Sequence, residues 1–587
     1  MVLNLVVIVV IALLGWVWLT RGFFSAFLNL VACVLAGAIA FGVWEPLAYF
    51  LLTKLDGNSA WGGTVWAVSL AIPFAVSMAL LRAGLDAACP SNMKFSTAVD
   101  SVGGGVCGAL SGLIASGIIL LSGAFLRLET SFGGYEPVGQ QPNGSLRTDA
   151  GLWVPADRLT AAFYKTASNG SLSTATPLAK YYPDLEYVPY AMRISFGDGK
   201  ARNTIALKDF DVWRRFTVGD KNSSLADALK DDWNPTVSQN VTDINESPYP
   251  AGTVLHGFVL NFQPSARERS GSVVLGNAQL RLLLENTARK GDYRTVYPVS
   301  VICQAKPDKR AFARFRFDAP NTYVSSTGGS AEARMGFEFP VPPGYEPIAL
   351  YVKNTRVELP ESKKPVAYSS AQDRDARIRN GSIFDIPAEE DSITSNRATR
   401  PAVQSQNQDA RDLGILIGPQ LGFIMQRGTE RGLTTEDEAV VEGQETYEIA
   451  MFRNTRGIER SLQINKFLER PDTVIVQFSA EAGKPMTWLG KVGVDKGTPA
   501  PTLVDTDGQT YEPVGYIYDE QDKLRTVRFN RGQPMRTMDD LPSMSTSRQD
   551  QKLTLIYDVS KGVKLDKLVV GTTVIHQFKP ALPTVNR

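Results

Sequence analysis

The chain has 587 residues, with 61 Lys and Arg against 60 Asp and Glu and a formal net charge of +1. Its mean hydropathy of −0.10 averages two unlike parts. Residues 1–126 hold only Arg21, Lys54, Arg82 and Lys94 against Glu45, Asp56, Asp86 and Asp100, and the remaining charges all lie beyond them. The first part excludes a wholly soluble chain and the second a transporter embedded throughout. The even balance argues against a nucleic-acid partner, which needs a basic excess.

Four apolar stretches, Val2–Leu19, Phe24–Val43, Trp61–Leu81 and Val102–Leu126, reach the roughly 20 residues that cross a bilayer. The first lacks a basic leader and a small-residue cleavage site, so it reads as a span and not as a signal peptide. Arg21 lies between spans one and two, and Arg82 and Lys94 between spans three and four. Cationic loops stay in the cytoplasm. Both chain ends, and the loop with Lys54 and Asp56, are therefore expected on the other side. In span four, Gly104, Gly108, Gly112 and Ser116 recur every fourth residue. Such a strip of small residues lets a second helix approach closely. Ala32, Ala36 and Ala40 of span two are the expected partner, with a homo-oligomer seam as the alternative. Arg21 and Asp100 sit at span ends near one face. They read as topological anchors or as an ion pair closing the bundle on the cytoplasmic side.

Spans of this kind, with Arg21-Gly22-Phe23 after the first and Asp100, Gly104, Gly108, Ala109, Leu110 and Gly112 opening the fourth, resemble the colicin V production protein (CvpA) family of bacterial inner-membrane proteins. Leu28 also matches. The resemblance covers about the first 126 residues. It implies a link to toxin (colicin V) production and envelope function, without an established catalytic activity. The chain departs from the family at Ala26, Ser101 and Ser111, where family members often carry charges.

Pro155–Tyr164 reads as a helix with Leu159, Ala162 and Phe163 on one face, preceded by Trp153. It is expected to pack under the globular domains, with the outer leaflet as the alternative site. Ile194–Phe196 and Thr204–Leu207 read as strands around a turn at Gly197-Asp198-Gly199. Residues 251–360 read as a β-sandwich with strands at Leu255–Phe262, Leu280–Leu284, Tyr297–Ile302 and Ala311–Phe317. In the last, Phe315 and Phe317 alternate with Arg314 and Arg316, which predicts a solvated arginine face.

A second sandwich is expected over 446–587. Phe339, Val341, Gly344, Leu350, Val352, Thr355 and Val357 recur 218 positions later as Tyr557, Val559, Gly562, Leu568, Val570, Thr573 and Ile575. Seven ungapped matches predict a duplication. The second copy, with its Asp505-Thr506-Asp507-Gly508 and Tyr511, loosely resembles bacterial extracellular immunoglobulin-like domains. Residues 127–250 read as a mixed α/β membrane-proximal region, 361–412 as a disordered linker and 413–445 as a connecting segment.

Chemistry is sparse. Asp505–Gly508 fits a hairpin turn better than a calcium loop, because Gln509 and Tyr511 stand where further oxygens belong. His256 and His576, the chain's two histidines, read as strand residues satisfied by hydrogen bonds. One relative of the membrane module carries a serine protease, but no matching nucleophile context is present here. Cys303 is alone in the polar part, which excludes an internal disulfide there. The expectation is a multidomain protein: a helical four-span membrane bundle followed by a mainly-β extracytoplasmic part with two β-sandwiches. No catalytic, cofactor or metal site is expected. The expected partners are the lipid bilayer, an envelope protein or polymer, and a second copy through the membrane helices. The alternative is an export or conductance module regulated by the sandwiches.

Overall fold

The computed structural model describes residues 2–55, 57, 59, 61–89, 91–126, 131, 133–140, 146–147, 151–194, 202–219, 224–229, 241–242, 247–268, 271–306, 311–329, 332–385, 393, 415–452, 457–481, 497–521, 523–542 and 550–584. Four long apolar helices come first: α1 (Val2–Arg21), α2 (Phe23–Lys54), α3 (Val65–Ala88) and α4 (Thr97–Ala124). A single 3-10 turn at Gly62–Thr64 leads into α3. Each is long and apolar enough to cross a membrane. At 1.5 Å per residue the 32-residue α2 is about 48 Å long, well beyond a hydrocarbon core of about 30 Å. Helix α2 is therefore longer than an untilted span requires. On the β-domain side, α5 (Ala156–Ser168) and α6 (Val188–Ile194) follow. Ile194 thus ends a helix where a strand was expected. Thr204–Ala206 runs without regular structure into a 3-10 turn at Leu207–Asp209. The expected turn at Gly197-Asp198-Gly199 lies outside the described residues.

The remainder folds into two β-units. In the first, β1 (Phe210–Val218), β2 (Val254–Phe262), β5 (Ser300–Lys306), β6 (Ala311–Arg316) and β7 (Ala333–Val341) form one sheet in the order β1-β2-β7-β5-β6. A short β10 (Val366–Tyr368) lies parallel to β1 on the outer edge. The facing sheet is β9-β8-β3-β4, from β3 (Leu280–Asn286), β4 (Tyr293–Val296), β8 (Tyr345–Val352) and β9 (Thr355–Glu358). Between the sheets Phe258, Leu260, Leu282, Leu284, Phe337, Phe339, Leu350 and Val352 form the core.

The second unit repeats this order strand for strand. Its large sheet holds β11 (Ile415–Ile417), β16 (Thr473–Glu481), β21 (Gln551–Ser560), β19 (Pro513–Glu520) and β20 (Leu524–Phe529), neighbours in that sequence. Its small sheet is β23-β22-β17-β18, from β17 (Thr502–Asp505), β18 (Thr510–Tyr511), β22 (Lys564–Val570) and β23 (Thr573–Pro583). The seven residues spaced by 218 fall on β7-β8-β9 in one copy and β21-β22-β23 in the other. Gly344 and Gly562 take the same left-handed turn, with φ of 82° and 87°. Any side chain with a Cβ is strained there, which explains their recurrence. An insertion in the second copy adds β12 (Gln420–Gln426), β13 (Leu433–Glu436), β14 (Ala439–Glu448) and β15 (Gln463–Phe467) to the large sheet beyond β20.

Strand β1 and the early strands β11–β14 therefore come from segments expected to lie outside the sandwiches. Likewise, part of 361–412 is ordered: β10 is the edge strand of the first large sheet and α7 (Ala371–Arg379) lies on its outer face. This corrects two expectations together. Arg314 points inward, fully buried, because α7 and Phe384 cover the face expected to be solvated. Its Nε lies 2.6 Å from Glu338, whose other oxygen takes Arg374 of α7 at 3.1 Å. Phe315 and Arg316 are the exposed residues of that strand, so of the two arginines Arg316 is solvated as expected.

The two units are joined by hydrogen bonds. Arg470 of the second unit donates to Ser272 of the first at 2.8 Å, and within the second unit Asp558 holds Arg470 at 3.4 Å and Arg531 at 2.8 Å. Ser560 donates to the Gly328 carbonyl at 2.9 Å. Burial lowers the neighbouring Arg267 to about 10, although Glu512 and Asp558 pull it the other way.

Candidate functional site: the junction of helices and β-sheet

The core of the bundle does not stop at the membrane. Trp44, Phe41, Trp66, Ile118 and Phe125 share one buried cluster with Tyr182, Leu185, Leu283, Ala349 and Tyr351. The last three lie on the outer face of the small sheet of the first unit. Aromatic rings form a column across this boundary. Trp66 meets Trp44 at 5.5 Å, Trp44 meets Tyr182 at 5.0 Å, and Tyr182 meets Tyr351 at 5.8 Å. Burial holds the Tyr182 and Tyr351 hydroxyls well above the usual tyrosine range, and the Tyr182 hydroxyl has no hydrogen-bond partner among the described residues. Tyr351 donates to the Tyr181 carbonyl at 2.5 Å.

Beside this column sits a charged lock. Glu45 of α2 is 2% exposed. Its two oxygens accept Arg356 Nε at 2.9 Å and Nη2 at 3.1 Å, the bidentate fork that suits a planar guanidinium. Tyr49, one turn along α2, donates to Glu45 at 2.6 Å and accepts the Arg356 backbone N–H at 3.0 Å. The Arg356 guanidinium lies 3.7 Å over the Tyr181 ring. Burial alone would depress Arg356, but its bonds to Glu45 and the Glu45 charge outweigh this and raise it. The carboxylate and guanidinium are thus a charged pair held away from water. Removing Arg356 would strand the buried Glu45 carboxylate, whereas Arg356 also pairs with Glu358 at 2.5 Å.

Backbone ends are stapled at the same level. Arg193 of α6 donates to the carbonyls of Gly123 and Ala124 at 2.6 and 2.5 Å, the open C-terminus of α4. Asn203 reaches the carbonyls of Gly63 and Phe125 at 3.2 and 3.0 Å, and Thr204 reaches Gly62 at 3.2 Å.

The residues singled out by sequence lie at the other end or inside the bundle. A Cβ on Gly104 would come 2.6 Å from the Trp18 carbonyl oxygen, and one on Gly108 would come 2.6 Å from that of Leu14. One on Gly112 would come 3.0 Å from Ile11 Cα. The glycine strip therefore seats α1. Span two packs on another face of α4, where Ala36 and Ala40 share a cluster with Ile114, Ile118 and Leu121 and Cys33 contacts the Ser111 carbonyl at 3.7 Å. Ser116 is buried in α4.

Arg21 and Asp100 are not brought into an ion pair. Asp100 accepts the backbone N–H of Phe23 at 3.3 Å and of Phe95 at 3.1 Å, so it caps the start of α2, where Gly22 supplies no side chain. A carboxylate is stabilised at a helix N-terminus. Arg21 lies 5.4 Å from the Trp18 ring, and its carbonyl accepts Asn92 at 2.8 Å. Gly22, with φ of 93°, makes the sharp turn between α1 and α2. Arg82 donates to Ser25 and pairs with Asp86 at 2.5 Å at the same end.

Asp505–Gly508 forms the hairpin turn between β17 and β18. The Asp505 carboxylate accepts the N–H groups of Asp507 and Gln509 and the Tyr511 hydroxyl. His576 lies on β23, with its ring 4.9 Å from Phe578. His256 departs from expectation: its Nδ1 is buried with no hydrogen-bond partner among the described residues.

Sequence reasoning missed the Glu45–Arg356 lock. The available signal was Glu45 itself, a carboxylate in an otherwise apolar helix, but its partner lies 311 residues away. Comparisons with protein-family models, with curated proteins and with solved structures find no match.

Proposed function

We propose that the chain is a bacterial inner-membrane protein of the colicin V production type. Its four helices anchor a rigid tandem of immunoglobulin-like β-sandwiches outside the cytoplasm, where the tandem binds another envelope component, a protein or a polymer. The observation that carries this reading is the buried junction. A hydrophobic core running from the helices into the first unit, the Glu45–Arg356 lock and the hydrogen bonds of Arg470 to Ser272 and of Ser560 to Gly328 between the units tie anchor and tandem together.

The orientation is supported by charge. Arg82 lies beside Ser25, at the end of the bundle opposite the junction, as does the Arg21 turn. By the positive-inside tendency that end faces the cytoplasm. The immunoglobulin-like reading is supported by strand order. With β1 as A, the sheets run A-B-E-D and C′-C-F-G, plus one strand after D, in both units. The features that favour an export module are otherwise engaged, since the glycine strip seats α1 and Asp100 caps α2.

Photo-crosslinking in growing cells tests the binding role, from exposed Leu416 and Leu524 of the second unit and from exposed Leu13 of α1. The expected result is one envelope component captured from the second unit and not from Leu13. Adduct patterns that do not differ between these positions would contradict it.

A further inference from the structure

Helix α5 offers a surface that the anchor does not use. Ala156, Thr160, Ala161 and Tyr164 are buried against the bundle. On the opposite side Leu159 is 47% and Phe163 42% exposed, and Trp153 just before the helix is 59% exposed. Leu159, Ala162, Phe163 and Thr166, all exposed, fall within an arc of about 100° at 100° per residue. The two cations of α5 turn to the protein. Arg158 stacks on Tyr187 at 5.3 Å and Lys165 pairs with Glu186 at 2.7 Å. The outward face therefore carries no charge.

The depth of this helix can be counted along three others. Trp153 N–H bonds Asn4 of α1 at 2.7 Å, 17 residues from Arg21, or about 25 Å. A Cβ on Gly117 of α4 would strike Thr160, and Gly117 is 14 residues beyond Gly103, which touches Phe23, or about 21 Å. A Cβ on Gly37 of α2 would strike the Tyr164 hydroxyl, which also bonds the Val34 carbonyl at 3.1 Å. Gly37 is 14 residues beyond Phe23, again about 21 Å. All three place α5 across the bundle, inside a hydrocarbon core of about 30 Å by roughly 5–9 Å. That is the depth at which amphipathic helices lie in a leaflet.

We propose that α5 is a membrane-inserted helix whose Trp153, Leu159, Ala162 and Phe163 contact the acyl chains of the leaflet on the β-domain side. The proposal rests on reading α1–α4 as spans, and it makes the anchor a five-helix unit with α5 lying in the leaflet plane.

Nitroxide labels test it on the full chain in lipid nanodiscs, in a Cys89→Ser background, since Cys89 is the exposed native cysteine and Cys33, Cys107 and Cys303 are buried. Labels go at Leu159→Cys and Phe163→Cys, with Ala162→Cys as the replacement should either fail to fold. Leu13→Cys is the lipid control and Glu436→Cys, exposed in the second unit, the water control. Collisions with oxygen should exceed those with a nickel chelate at 159 and 163, as at 13, and the ratio should reverse at 436. Nickel-dominated collisions at 159 and 163, with 13 still lipid-like, overturn the proposal and leave the spans standing. Protection from both reagents with dipolar broadening identifies a second copy on this face and also overturns it. Nickel access at 13 overturns the spans themselves.

Discussion

Arg356, on the second strand of the β8–β9 hairpin, holds Glu45, a residue of the second long helix, through two hydrogen bonds of 2.9 and 3.1 Å. The pair is nearly dry, with side-chain exposures of 8% and 2%. Breaking one partner of such a pair costs about 3–5 kcal/mol, because the survivor is left charged and buried. Arg356→Ala is expected to lower stability by about that much, and Glu45→Ala by less, because Arg356 keeps Glu358 at 2.5 Å, both measured by denaturation in detergent. The double variant Glu45→Ala/Arg356→Ala should cost less than the two single changes together. Strict additivity in this double-mutant cycle would show that the two residues are not coupled.

The seating of α1 is graded by space. Gly108→Ala drives a Cβ to 2.6 Å from the Leu14 carbonyl oxygen, a backbone atom that cannot rotate away. It is expected to cost about 1–3 kcal/mol. At Gly105, one turn away, the nearest atom would be Leu19 Cδ1 at 3.6 Å. There Gly105→Ala should be neutral or stabilising by up to about 1 kcal/mol, the helix-propensity gain. Equal effects in the same unfolding assay would show that the strip does not seat α1.

His256 lies on the outer part of β2 with Arg215 nearby, and burial with that cation lowers it to about 3 from an ordinary 6.5. The folded state therefore holds the neutral ring, while the unfolded chain takes up a proton below about 6.5. The stability it contributes is complete above the unfolded value and is lost as pH falls from there toward 3. Carboxylates titrate in the same interval, so the difference between the wild type and His256→Gln isolates it. That difference in Tm should change between pH 7 and pH 4, and a pH-independent difference would contradict the assignment.

Much of this architecture is legible in the sequence, for physical reasons. A helix that crosses lipid must be apolar for its full length, so all four spans are readable from hydropathy alone. The duplication is readable because the turns at Gly344 and Gly562 and the alternating core of the strands around them constrain residue type position by position. What the sequence hides are pairings across distance. Arg314 alternates with phenylalanines like a solvated residue, and only the cover of α7, in a segment of linker-like composition, turns it inward. The early strands β11 and β12 lie in an apolar run broken by Gly418, Pro419 and Gly422, and with β13 and β14 they are recognisable only once β16 and β20 offer them an edge. Asp100 looks like half of an ion pair, yet its partners are backbone N–H groups, which leave no trace in side-chain composition.

Cysteine reactivity follows from burial. The Cys303 thiol is raised to about 11 by burial, and at pH 8 it carries little of the thiolate that reacts. Maleimide should modify native protein at Cys89 and reach Cys303 only after denaturation. Labelling of Cys303 at the rate of Cys89 would contradict the packing of β5.

The account places the β-tandem and the α3–α4 loop on opposite sides of one membrane, and sidedness tests this most directly. Cys89 is a native exposed thiol on that loop, and Glu436→Cys adds one to the second β-unit. In spheroplasts treated with a membrane-impermeant maleimide, Glu436→Cys should label at once and Cys89 only after the membrane is permeabilised. Immediate labelling of Cys89, with Glu436→Cys protected, would invert the anchor and contradict the account.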